Sequence, residues 1–149
     1  MKKTFFLIKI LIVYSFFIST GFAAKVDYFN EGKILFDKKS FEKSKIFFEK
    51  DIVFNPKSEK SYLYLAKIFK KNDNDQEEEM NLNNVLLLNP QNEEAIYMLT
   101  LLKIKHSDYD KAKELIEKFN LFCNSFCEKK DEIQKKFNKL IPENAKSNN

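Results

Sequence analysis

Arginine is missing from this chain, and all 26 basic residues are lysine. Arginine is the usual bidentate reader of bases and phosphates, so no nucleic-acid partner is expected. Glycine and proline are scarce, at two and three residues in 149. That is too few to build the turns of an all-β chain. Histidine occurs once, as His106, and cysteine twice, as Cys123 and Cys127. A tetrahedral metal site needs four ligands, so this set implies no metal. The Cys-x-x-Cys-His run of haem attachment is absent, as is any glycine-rich phosphate loop. His106, Ser107 and Asp108 are consecutive, and their side chains diverge too far for a catalytic trio. Glu77, Glu78 and Glu79 are neighbours on one helix and point in different directions, which describes a solvated face. No acid, base and nucleophile come together. The expectation is a non-enzyme without a cofactor.

The N-terminus does carry a signal. Met1-Lys2-Lys3 is followed by an apolar run from Phe5 to Ile18, broken by Lys9 and two hydroxyls. Then comes Ser19-Thr20-Gly21-Phe22-Ala23-Ala24, with small residues two apart at Gly21 and Ala23. This reads as a bacterial secretory signal peptide over 1–23, cut after Ala23 or, second, after Ala24. A membrane span wants about 20 apolar residues, and this run is shorter and interrupted. An uncleaved anchor is the alternative. No cysteine follows the cut, which argues against a lipoprotein. Losing Lys2, Lys3 and Lys9 leaves 23 lysines against 22 acids, a nearly balanced mature chain. It is expected to be secreted or periplasmic, with no membrane span after cleavage. The wealth of Lys, Asn, Phe and Ile matches an A+T-rich genome and carries no functional weight.

With few turn residues and much Lys, Glu, Leu and Phe, the remainder should be all helical. Its strongest feature is a period of 34 residues. Asn55-Pro56 returns as Asn89-Pro90, and Ser58-Glu59 as Asn92-Glu93. Tyr62 and Leu65 return as Ile96 and Leu99, while Ser40, Asn74 and Asp108 stand at the same interval as helix caps. Proline pushes its predecessor out of the α region, so Pro56 and Pro90 stop helices. These marks predict helices over 27–38, 41–54, 59–71, 76–88, 93–105 and 109–121. Ser125-Phe126-Cys127-Glu128 has the form of a capping box and predicts a last helix over 126–140, with a polar, disordered tail over 141–149.

The pattern resembles the tetratricopeptide repeat (TPR) family over roughly 25–121, with units at about 25–57, 58–91 and 92–121. The family's first-helix positions hold Tyr28, Glu31, Gly32, Leu35; Tyr62, Leu65, Ala66, Phe69; and Ile96, Leu99, Thr100, Lys103. Its second-helix positions hold Phe41, Ser44, Phe48, Asp51; Asp75, Glu78, Leu82, Val85; and Tyr109, Ala112, Ile116, Phe119. Gly32 sits where two helices approach closely. Asp75 and Glu78 are polar where packing is expected, so the second helix of unit two should be loose or shifted in register. The resemblance implies a right-handed solenoid of helical hairpins, closed by an amphipathic helix over 122–140.

It also implies a concave face that binds another protein or peptide. The matching positions chosen for that groove are Phe29, Lys33, Phe36, Leu63, Lys67, Lys70, Lys71, Tyr97, Leu101 and Ile104. Aromatic residues at the ends would anchor apolar side chains, and the central lysines would favour acidic segments. The family's carboxylate clamp is not implied, because Phe29, Tyr64, Glu94 and Met98 stand at four of its positions. In an oxidising compartment Cys123 and Cys127 should pair, fixing the end helix with about 2 kcal/mol. A thiol-disulfide protein using that pair, and an envelope subunit that self-associates, are the rival functions. The sequence leaves the oligomeric state open.

Overall fold

The computed structural model describes residues 26–140. The expected signal over 1–23 and tail over 141–149 lie outside that range. Among the described residues seven α-helices follow one another: α1 (Tyr28–Asp37), α2 (Phe41–Phe54), α3 (Glu59–Lys71), α4 (Asp75–Leu88), α5 (Glu93–Lys105), α6 (Tyr109–Phe122) and α7 (Lys130–Leu140). A 3₁₀ turn at Cys127–Lys129 precedes α7. α1 pairs with α2, α3 with α4 and α5 with α6, and each hairpin stacks on the next. The result is a helical-hairpin solenoid of three units with a C-terminal helix.

The 34-residue period survives intact. α2, α4 and α6 are each 14 residues long and start at 41, 75 and 109. The expected slippage of α4 does not occur. Asn74 Oδ1 accepts the Glu77 N–H and starts the helix in phase, and Leu82 and Val85 are fully buried. Glu78 is buried too, at the place held by Ser44 and Ala112 in the other units. Burial pushes its carboxyl above the usual range, and the nearby Lys70 opposes that shift. The departure from the repeat pattern is therefore buried in place, with no change of register.

Sequence chemistry explains the hairpin geometry. Gly32 lies against Phe48, and a Cβ there would stand 2.8 Å from the Phe48 ring. The close approach lets the Ser44 hydroxyl donate to the Gly32 carbonyl at 2.8 Å. In the third unit Thr100 satisfies its hydroxyl on the Ile96 carbonyl at 2.7 Å, and Ala112 leaves room opposite. The turn inside each hairpin passes through a left-handed residue: Lys39 (φ 60°), Asp73 (φ 51°) and Ser107 (φ 59°). These too are 34 apart, and none is glycine. That conformation crowds a Cβ against the following carbonyl.

The α4–α5 turn and the loop after α6 are held by glutamates at the starts of α3 and α5. Glu59 accepts from the side chains of Asn89 and Asn92 in the α4–α5 turn. Its counterpart Glu93 accepts from the backbone N–H groups of Asn124 (2.6 Å), Ser125 (3.3 Å) and Phe126 (2.8 Å) after α6. Those three donors hold the Glu93 carboxyl below the usual range. Cys123 and Cys127 form a disulfide across the same loop, with Cα atoms 5.1 Å apart.

The expected capping box at Ser125 therefore does not form. The Ser125 hydroxyl and N–H both turn to Glu93, and the α-helix begins five residues later at Lys130. The 3₁₀ turn starts 34 residues after Glu93, so the turn and α7 together fill the first-helix slot of a fourth unit. Ile133 and Phe137 of α7 are buried. Gln134, where a second helix would pack, is exposed and bonds to Asn138.

Gly32→Ala is expected to destabilise the fold by about 1–3 kcal/mol, read as a lower denaturant midpoint. Lys39→Gly is expected to stabilise it by about 0.5–1 kcal/mol, since relief of the left-handed strain exceeds the added chain entropy. Glu93 stabilises the fold above the ordinary glutamate pKa, and that contribution is lost as pH falls through its depressed folded value. In urea titrations across pH 3–7, Glu93→Gln should therefore show less loss of stability on acidification than the parent chain.

Candidate peptide-binding face

The first helices α1, α3 and α5 present one side away from their hairpin partners. On α3 that side follows the helical step through Lys60, Tyr64, Lys67 and Lys71. Two of the residues expected to line it do not. Leu63 and Ile104 are buried members of the larger core cluster. The expected lysine cluster also divides. Lys67 donates to Glu94 of α5 at 2.9 Å and lies 4.8 Å from the Tyr64 ring centre. Lys71 lies 4.6 Å from the ring centre of Phe41 on α2, and Lys70 is close enough to Glu78 on α4 to oppose its shift. Lys33 pairs with Asp37 on its own helix at 2.9 Å.

The structure does assemble an aromatic surface at the first two units. Phe29 meets Tyr64 edge-on at 5.8 Å, and Phe36 meets it edge-on at 4.9 Å. Tyr64 in turn stacks on the buried Phe48 at 5.0 Å, which fixes the ring. Lys60 stands 5.8 Å from the Phe29 ring centre. Tyr64 is the residue that the choice of groove positions left out. It follows Leu63 directly, and a helical stripe taken through Lys60 and Lys67 passes through it.

At the other end Tyr97 is engaged by the C-terminal helix. Its hydroxyl donates to Glu132 on α7 at 3.1 Å, and its ring lies 6.3 Å from both Phe119 and Phe126. Burial and that hydrogen bond push the phenol up to about 12. Leu101 is half-buried beside it in sequence phase.

The remaining chemical candidates find structural places. Asp75 binds both Lys105 at 2.7 Å and His106 at 2.6 Å, which ties the start of α4 to the end of α5. Among the described residues no group of His, Cys, Asp and Glu is arranged to hold a metal ion. No helix among them is long and apolar enough to cross a membrane.

No family model matches the chain, and no curated protein sequence matches it. Solved structures do. The first TPR domain of Spaghetti (RPAP3), bound to the HSP90 peptide SRMEEVD, superposes with a TM-score of 0.68. It is 15% identical, over 76% of this chain and 90% of that one. The Sgt2 TPR domain from Aspergillus fumigatus gives a TM-score of 0.62 at 15% identity, over 75% of this chain and 78% of that one. The three in-phase hairpins and these superpositions together establish that the chain has the tetratricopeptide-repeat fold.

Proposed function

We propose that this chain is an exported, non-enzymatic module that binds a segment of another protein on the side shared by α1, α3 and α5. The observation that carries the reading is the aromatic surface of Phe29, Tyr64 and Phe36, set beside Lys33, Lys60 and Lys67. Fixed rings offer apolar contact at little entropic cost, and aromatic anchors dominate many interfaces. Lys60 beside the Phe29 ring, and Lys33 and Lys67 in exchange with their own partners Asp37 and Glu94, favour a segment that places acidic residues next to a large apolar side chain. Binding of a peptide by a similar fold, as in the Spaghetti domain, supports a peptide-sized partner. The Cys123–Cys127 bridge supports an oxidising compartment and so export. Its loop is tied down by Glu93, which favours a structural bridge over a thiol-exchange role.

A random peptide library displayed against the purified protein tests this reading. Enrichment of sequences joining acids to a large apolar residue is expected. Lys60→Glu with Lys67→Glu should weaken the selected peptides about tenfold or more, most clearly at low salt. Failure to enrich such peptides, or equal binding by the double variant, overturns it.

A further inference from the structure

The opposite side of the solenoid, made by the second helices α2, α4 and α6, carries a different pattern. Residues 80–92 hold no charged side chain, the longest such run among the described residues of a chain that is 32% charged. Much of that run is not core. On α4, Met80, Asn83, Asn84 and Leu87 follow the helical step i, i+3, i+4, i+7 and form one outward stripe. Met80 is 51% exposed and Leu87 81%. The same place in the flanking units also holds an exposed aliphatic residue, Val53 at 72% and Leu121 at 75%. Three large apolar side chains thus repeat along one side at the unit spacing, where isolated exposure would be unremarkable and a row is not.

The charges around this row are ordered. The middle unit has Asn83-Asn84, while the outer units have Glu49-Lys50 and Glu117-Lys118 at the equivalent positions. We propose that this side is a dimer interface with a second copy of the same chain, related by a two-fold axis passing near Leu87. In an isologous contact, a residue on the axis meets its own copy. A charge there would face a like charge, and the middle unit holds none. Away from the axis, unit one of one chain faces unit three of the other. Lys50 then meets Glu117 of the second copy, and Glu117 meets its Lys50, so each outer end carries opposite charges. A charge-depleted apolar centre with a charged rim is the anatomy of protein interfaces. The surface lies away from the face formed by α1, α3 and α5, so a dimer leaves that face free.

Light scattering and sedimentation equilibrium on the protein purified from its own cells, up to about 100 µM, test the proposal. The expected mass is twice that of the chain. Leu87→Lys, which places a cation on the axis, should raise the dissociation constant by about a hundredfold or more, with helix content by circular dichroism unchanged. Lys50→Glu and Glu117→Lys should each weaken the dimer about tenfold, and the two together should restore it. The charge series decides the matter even where Leu87→Lys loses helix. A monomer at every concentration, a dimer indifferent to these changes, or a double reversal weaker than either single one overturns the proposal.

Discussion

A two-helix hairpin has two flanks, and its own partner helix covers neither. Everything in this structure follows from the need to cover those flanks with the next hairpin. The need fixes the period, because α2, α4 and α6 must present the same positions to the following unit. It also fixes the residues at the closest approaches, where Gly32, Ala66 and Thr100 alternate with Ser44, Glu78 and Ala112. Glu78 shows how strong the constraint is. A carboxyl is held in a buried place, with its ionisation opposed, because moving it out would carry α4 out of phase with two neighbours.

Packing alone leaves the turns between hairpins unspecified, and electrostatics supplies that part. Glu59 and Glu93 stand in the first turns of α3 and α5 and hold the turns that follow their own hairpins. The first uses asparagine side chains as donors, and the second uses bare backbone N–H groups. The second lies in the loop that the Cys123–Cys127 bridge closes, where consecutive N–H groups meet one carboxylate. The bridge and the carboxylate thus act on the same few residues between α6 and α7.

The periodic part of this architecture was legible in the sequence. Asn55-Pro56 and Asn89-Pro90 mark turns through local backbone rules, and the caps at Asn74, Asn92 and Asp108 do as expected, whereas Ser40 and Ser58 stand at helix starts without a side-chain bond to the helix N–H groups, the Ser58 hydroxyl turning to Ser61 instead. The close approach at Gly32 was equally plain. What local reasoning missed is set by contacts far apart in the chain. The left-handed turns at Lys39, Asp73 and Ser107 lack the glycine that would have announced them. Glu93 reaches donors more than 30 residues away, and no local pattern distinguishes it from an ordinary first-turn acid. On α3 the outward stripe runs through Tyr64, one residue on from the expected Leu63, which is buried. Both lie near the boundary between core and surface stripe, and only the packing of α1 against α3 shows which ring is presented.

The latch at Cys123–Glu93 bears on how the molecule comes apart. In a linear stack, each unit is held by its neighbours alone, so opening starts at an end. The C-terminal end is covalently looped and charge-bound, and α7 adds Ile133 and Phe137 to the larger of the two buried clusters. At the other end stands the 10-residue α1, which rests on the smaller cluster of Phe48, Leu65 and Ile68. Among the described residues the two ends are therefore unequal, and the neighbour-only rule of a linear stack makes the α1 end the one expected to open first.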